Sequence, residues 1–285
     1  MCWKCPIFDA VFRADFYTER LILHCAIFCL SPVKTVKICF GGAVLRIDKF
    51  ISEAGVASRK EAARAAKGGG VVVDGEVIKD LSKHIDPERS RVIYLGREIV
   101  YRKFTYVMLN KPEGYVSATE DSKLPCVVEL LPEELQRLEL FPVGRLDRDT
   151  VGLMILTNNG QLAHSLLSPK HHVEKEYFFR AAEPLPIGAE EHFKNGVTLA
   201  DGYECKSAGL SLSENREEGY ITLTEGKYHQ IKRMIASLEN KVVYLERVRF
   251  SDISLDKGLA RGEWRYLTPE EISSLELAGG ANKTL

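Results

Sequence analysis

Three things are missing from this 285-residue sequence. No apolar run reaches the roughly 18 residues that a membrane-spanning helix needs, so no membrane partner is expected. Net charge is nearly absent: 39 Lys and Arg stand against 40 Asp and Glu, for a formal charge of −1. That excludes a protein basic all over, but not local basic patches. An evenly spaced disulfide framework is also missing. Of seven cysteines, Cys2, Cys5, Cys25, Cys29 and Cys39 crowd the start, and only Cys126 and Cys205 lie beyond. Such spacing fits a reducing compartment, and a cytoplasmic location is expected. With 45% hydrophobic and 28% charged residues, the chain has a globular composition and the length for two or three compact units.

Residues 1–44 differ from the rest in being rich in Cys and Phe without an amphipathic period. Cys2-x-x-Cys5 and Cys25-x-x-x-Cys29 have roughly zinc-site spacing. The run Leu21 to Leu30 resembles a signal-peptide core, but Arg20 is its only near cation and no small-residue cleavage site follows. The favoured expectation is an extension upstream of a start near Val44 or Leu45, outside the functional protein.

Regular patterning begins at Leu45. Ile47, Phe50, Ile51 and Ala54 recur at helical spacing, and Gly55 stops that helix. Ser58 and Glu61 then form a capping box for an alanine-rich helix that ends at Gly68-Gly69-Gly70. Val71 to Val73 and Glu76 to Ile78 read as strands around an Asp74-Gly75 turn. On the second helix Lys60, Arg64 and Lys67 make one ridge, with Arg59 beside it. From Leu45 to Lys103 thirteen Lys and Arg face nine Asp and Glu. Charge alone favours a solvated helix face over a phosphate-contact surface. Farther on, Tyr106 to Leu109 reads as a buried strand and Lys111-Pro112-Glu113-Gly114 as a turn.

Three stretches carry candidate chemistry. In "VGRLDRDTVGLMILTNNG", an extended Gly144 to Asp149 would put Arg145, Asp147 and Asp149 on one face, ahead of a core strand from Gly152 to Leu156. A carboxylate at the lip of a core strand is costly unless it is paired or used, so a structural ion pair and a catalytic group both fit Asp147. In "SPKHHVEKEYFFRA", adjacent His171 and His172 point apart and cannot chelate one metal from a strand. Lys175 and Tyr177 share a strand face, and Tyr177 fits either a core tyrosine or a base-stacking, proton-handling group. In "TEGKYHQIKRMIASLENKV", Ile231, Met234, Ile235 and Leu238 form a helix core face. Lys227, Lys232 and Arg233 lie near its N-terminal end, where the dipole disfavours cations. An anionic partner there is expected, carboxylate or phosphate.

The first module, "RIDKFISEAGVASRKEAARAAKGGGVVVDG", resembles the αL RNA-binding domain of the ribosomal-protein-S-four type. Gly70 stands where that pattern commonly has a basic residue, and Asp74 where it commonly has Asn. "GRLDRDTVGL", "KEY" and "EGKYHQIKRM", in that order after an αL domain, resemble the RNA pseudouridine synthases that modify ribosomal RNA. "LNKPEGYVSA" and "GLARGEWRYLTPEE" look most like the small-subunit branch. The resemblance covers about Leu45 to Glu271.

It implies an α+β fold with a mixed, largely antiparallel sheet. An αL domain would occupy residues 45–102, a catalytic domain 103–271 and a tail 272–285. It further implies a cytoplasmic, generally monomeric enzyme that isomerises a uridine of small-subunit rRNA, free or in an assembling subunit, without metal or cofactor. A large-subunit target and a catalytically silent rRNA-binding or assembly protein are the alternatives. By resemblance, Asp147 matches the essential aspartate and Tyr177 the tyrosine that packs on uracil. Lys232 matches the aspartate's cationic partner, where Arg is common in the wider class, and should hold Asp147 ionised. Arg145 matches a residue that orders the flipped nucleotide's site. Arg59, Lys60, Arg64 and Lys67 would contact RNA phosphates.

Overall fold

The computed structural model describes residues 44–280. The zinc, signal-core and upstream-extension readings of the N-terminal segment lie outside the described residues. In the first module, β1 (Leu45–Arg46) leads into α1 (Ile47–Glu53), which buries Ile47, Phe50 and Ile51. α2 (Arg59–Lys67) begins at the expected capping box. The Ser58 hydroxyl accepts from the Glu61 N–H, and the Glu61 carboxylate accepts from the Ser58 N–H. Ala62 and Ala66 turn inward, which leaves Arg59, Lys60, Arg64 and Lys67 exposed.

β2 (Val71–Val73) and β3 (Glu76–Val77) pair across Asp74 and Gly75, whose φ angles are 51° and 89°. Two successive left-handed residues give the turn whose twist matches that of the strands. β4 (His84–Ile85) pairs with β1, and β5 (Val92–Tyr94) and β6 (Arg97–Glu98) complete a sheet in the order β3-β2-β5-β6. Tyr101 stacks on Phe50 with ring centroids 5.0 Å apart and donates to Glu53, closing the module.

The second body begins with β7 (Tyr106–Lys111), buried at every position. A 3-10 turn (Val127–Leu130), α3 (Glu133–Gln136), β8 (Phe141–Pro142), β9 (Val151–Thr157) and α4 (Gly160–Leu167) follow. Then come β10 (Lys175–Ala181), α5 (Ala189–Asn195), β11 (Gly209–Leu212), β12 (Glu218–Leu223) and α6 (Gln230–Ala236). The remainder is β13 (Val242–Phe250), β14 (Ile253–Ser254), β15 (Trp264–Tyr266) and α7 (Pro269–Ala278). The sheet runs β11-β12-β10-β13-β9-β7-β15, with β14 on β13 and β8 on β9. Among the described strands of this sheet, β9 and β13 alone pair in parallel; the other pairings are antiparallel. This is the α+β class and the mixed, largely antiparallel sheet that the motifs imply.

The unbroken apolar run of β9 has a simple cause. Its alternate residues serve two cores, because both faces of the sheet are covered there. Leu153 and Ile155 pack with Leu162 and Leu166 of α4 and Leu275 of α7. Met154 and Leu156 pack with Val127 and with Leu135 of α3. A third core joins Phe179, Ile221 and Leu245 of the sheet to Phe193 of α5 and Met234 and Ile235 of α6. That packing seats α6 beside the start of β9.

The close approach of β9 to β13 depends on Gly152. Its φ is +99°, and a Cβ there would collide with the Arg247 carbonyl oxygen. The boundary at residue 271 falls inside α7, which opens with a Thr268–Glu271 capping box and buries Leu275. The second body therefore continues to residue 280, since without α7 the outer side of the α4 core would be open.

Candidate active site

The loop from Gly144 to Thr150 joins β8 to β9 and is not extended throughout. The Thr150 N–H donates to the Asp147 carbonyl at 3.1 Å, which closes a turn over Asp147–Thr150. That turn, rather than strand alternation, brings Asp147 and Asp149 to one cation. Two clamps hold the loop. The Ser117 hydroxyl donates to the Leu146 carbonyl at 2.8 Å and accepts from the Leu146 N–H at 3.0 Å. From beneath, the Lys111 ammonium donates to the carbonyls of Thr150 at 2.8 Å, Pro112 at 3.1 Å and Arg148 at 3.2 Å. Lys111 has 0% of its surface exposed. Burial pushes its ammonium down to about 8, against the opposing pull of the Asp149 and Asp147 carboxylates.

Lys232 projects from α6 and bridges the two carboxylates, 3.1 Å from Asp147 Oδ2 and 2.6 Å from Asp149 Oδ1. Burial alone would lower its ammonium. The hydrogen bonds to Asp149 and Asp147 outweigh burial and hold it above the ordinary lysine value. For Asp149 burial likewise opposes ionisation, and the bond and charge of Lys232 outweigh it, so its carboxyl lies below the usual value. The anionic partner expected for cations near the start of α6 is thus, for Lys232, this carboxylate pair. Arg233 instead pairs with Asp201, and Lys227 lies 4.7 Å over the Tyr203 ring. His229 adds a further group, with Nε2 3.6 Å from Asp147 Oδ1.

Tyr177 sits on β10 at the edge of two cores, one of which includes Leu146, the residue before Asp147. Its cross-strand partner is Arg247 of β13. Only 2% of Arg247 is exposed, and its Nε donates to the Leu153 carbonyl at 2.7 Å. Among the described residues Arg247 makes no ion pair with a carboxylate. Burial pushes its guanidinium below the usual value, and neighbouring Tyr177 opposes that. Lys175, on the same strand, is pushed down to about 8 by burial and by the Arg247 charge.

The sequence candidates therefore divide. Asp147 and Lys232 are in contact, and Tyr177 is packed close to the loop that carries Asp147. Arg145 is apart from this cluster; its side chain is exposed and has no hydrogen bond or ion pair among the described residues. Arg59, Lys60, Arg64 and Lys67 are also free of ion pairs among the described residues, on a separate surface of α2. Sequence reasoning missed His229, Lys111, Ser117 and Arg247. A charged residue closing the buried strand "YVMLNK" was the available signal for Lys111, and its counterpart inside "LERVRF" was the signal for Arg247. His171 and His172 are exposed in the loop before β10, and His171 Nε2 lies 3.4 Å from Ser165 Oγ. Among the described residues no cluster of three His, Cys, Asp or Glu could hold a metal ion, and no helix is long and apolar enough to cross a membrane. A cleft of about 630 Å³ lies elsewhere, lined by Thr119, Glu120, Val128, Leu131, Gln136 and Glu139. It contains none of the candidate groups.

Residues 105–237 match the family model described as RNA pseudouridylate synthase. The chain is 45% identical over 234 residues to a Bacillus subtilis (strain 168) protein named "Uncharacterized RNA pseudouridine synthase YtzG", covering 81% of this chain and 98% of that protein. It is 39% identical over 232 residues to Ribosomal small subunit pseudouridine synthase A of Escherichia coli (strain K12), covering 81% of this chain and all of that one. The chain belongs to the RNA pseudouridine synthases. Among solved structures, one described as the crystal structure of pseudouridylate synthase aligns with a TM-score of 0.58 at 36% identity, over 81% of this chain and 99% of that one. Residues 45–89 match the S4 domain model, so this RNA pseudouridine synthase carries an RNA-binding module ahead of its Asp147 loop. The exposed cations of α2 lie within that match.

Proposed function

We propose that this enzyme isomerises a uridine of small-subunit ribosomal RNA to pseudouridine, with Asp147 as the reacting carboxylate. The observation that carries the reading is the Lys232 ammonium on Asp147 and Asp149, in a loop clamped by Ser117 and Lys111. The reaction breaks the bond between uracil N1 and ribose C1′ and forms one between C5 and C1′. The hydrogen on C5 leaves to solvent and N1 ends protonated, so atoms and electrons balance within one nucleotide. Such chemistry needs a carboxylate near the anomeric carbon, as in glycoside chemistry, and a pocket for a flipped base.

In this reading Lys232 holds the Asp147 carboxylate in position from 3.1 Å. Attack on the sugar, attack on the base and removal of a ribose proton all start from a carboxylate held in that place. Tyr177 supports one face of the uracil and stands beside the buried Arg247 charge. Arg145, exposed and unpaired, contacts the flipped nucleotide's backbone. Arg59, Lys60, Arg64 and Lys67 contact phosphates farther along the RNA. The enzyme acts as a monomer in the cytoplasm, on rRNA free or within an assembling small subunit. Support for the target comes from the full-length similarity to the small-subunit synthases.

The test is tritium release from small-subunit rRNA labelled at uridine C5, with wild type and Asp147→Asn. Release by wild type and none by a folded variant is expected. Full activity in Asp147→Asn would overturn the assignment.

A further inference from the structure

The rim of the Asp147 site carries a ring stack that the isomerisation itself does not require. Tyr228 and His229 lie face to face, with ring centroids 3.8 Å apart and planes at 17°. His229 is the inner ring, with Nε2 3.6 Å from Asp147 Oδ1. Tyr228 is the outer ring and is 76% exposed. A large aromatic ring in water, one stacking layer out from the reacting carboxylate, presents an open π-face at the mouth of the site.

The stack is held in place. His229 has φ 50°, ψ 33°, a left-handed conformation uncommon outside glycine, which turns the chain back toward the loop. Behind it the Gln230 side chain, 4% exposed, accepts from the Lys227 N–H at 2.9 Å and donates to Glu225 at 2.6 Å. Glu225 in turn accepts from the Tyr203 hydroxyl at 2.9 Å and the Lys206 N–H at 3.0 Å. Lys227 lies over the Tyr203 ring, and Arg233, paired with Asp201, reaches toward the Tyr228 carbonyl. The loop backbone is thus tied to Gln230 and, through it, to Glu225. The Tyr228 ring is left pointing outward on a braced backbone, so little ordering remains to be done when a partner arrives.

We propose that Tyr228 is a positioning residue that stacks on the nucleobase flanking the target uridine. This rests on the reading of the chain as an rRNA pseudouridine synthase. A nucleobase fits because every base offers a flat π-face, and aromatic platforms beside single-stranded RNA hold bases that way. Once the uridine is turned toward Asp147, its own stacking partner in the RNA is lost. The Tyr228 ring replaces that partner and keeps the strand from closing behind the flipped nucleotide. Recognition of this kind depends on a planar neighbour, not on that neighbour's hydrogen-bonding edge.

The experiment uses the full chain and small-subunit rRNA transcripts labelled at uridine C5. The modified uridine is mapped with wild type first. Release rates are then measured for wild type, Tyr228→Ala and Tyr228→Phe on the intact transcript, and on transcripts made abasic at either neighbour of that uridine. The expected result is a fall of about tenfold in kcat/KM for Tyr228→Ala and less than about twofold for Tyr228→Phe. On the transcript lacking the stacked base, Tyr228→Ala and wild type should become equal. Equal rates of Tyr228→Ala and wild type on intact RNA would overturn the inference and leave the parent reading standing. So would an Ala defect of the same size on both abasic transcripts. No release by wild type from any rRNA would overturn both.

Discussion

Replacing Lys111 with methionine keeps the side-chain length and removes the ammonium that binds the Asp147 loop from beneath. Three carbonyls lose a donor. The Arg148 carbonyl retains the Gly114 N–H at 2.9 Å, whereas Pro112 and Thr150 lose a charge-assisted bond. Two such bonds contribute about 3–6 kcal/mol. Against this stands the burial that lowers Lys111 from 10.5 to about 8. At about 1.4 kcal/mol per pH unit, removing the ammonium recovers roughly 3 kcal/mol.

The net destabilisation expected is about 2 kcal/mol, or a fall in Tm of about 4–8 °C for a chain of this size. Loosening the loop displaces Asp147, and a displacement near 1 Å costs about a hundredfold in kcat. The pH dependence has a definite sign. Between about 8 and 10.5 the unfolded chain holds the Lys111 proton more tightly than the folded one, so this group's contribution to stability rises with pH. The stability advantage of wild type over Lys111→Met should widen by up to about 3 kcal/mol across that window and stay flat below it. Urea denaturation at several pH values and steady-state tritium release measure both effects. Equal midpoints with equal kcat, or an advantage that shrinks as pH rises, would refute the reasoning.

Three other outcomes are expected. Gly152→Ala forces a Cβ into the Arg247 carbonyl at a φ of +99° and should cost about 3 kcal/mol or more in urea denaturation; a cost below about 1 would mean that β9 and β13 separate easily. Asp149→Asn removes the carboxylate that is 62% exposed while leaving Lys232 on Asp147. Activity should fall only a few-fold, and a loss as deep as that of Asp147→Asn would move the reacting carboxylate to Asp149. The double variant Lys60→Glu and Arg64→Glu should weaken RNA binding and reduce the slope of log affinity against log salt by about 2. An unchanged slope would identify that ridge as a solvated helix face.

What was legible in the chain was local. The Ser58–Glu61 cap, the Asp74-Gly75 turn and the apolar run of β9 are each decided within a few residues. Hydrogen-bond geometry and side-chain period act at that range, so these elements appear in the fold where the sequence places them. Asp147 stood out for a related reason, as a carboxylate set against a stretch that had to be buried.

Contacts across the chain were decided only by the tertiary structure. Lys232 lies 83 positions from Asp149, and its choice of partners depends on where the α6 core sets that helix against the β8–β9 loop. The same holds for Lys111 beneath the loop and for Arg247 beside Tyr177. In sequence each is one more cation among 39. Burial makes them different, and burial follows from the β9–β13 register and the helices packed around it. Even in the row of charges from Arg145 to Asp149, a turn closed by the Thr150 N–H, rather than an extended run, decides which side chains meet. Local sequence thus singled out Asp147 as a candidate, and packing at a distance chose the cation that holds it and the ammonium that supports its loop.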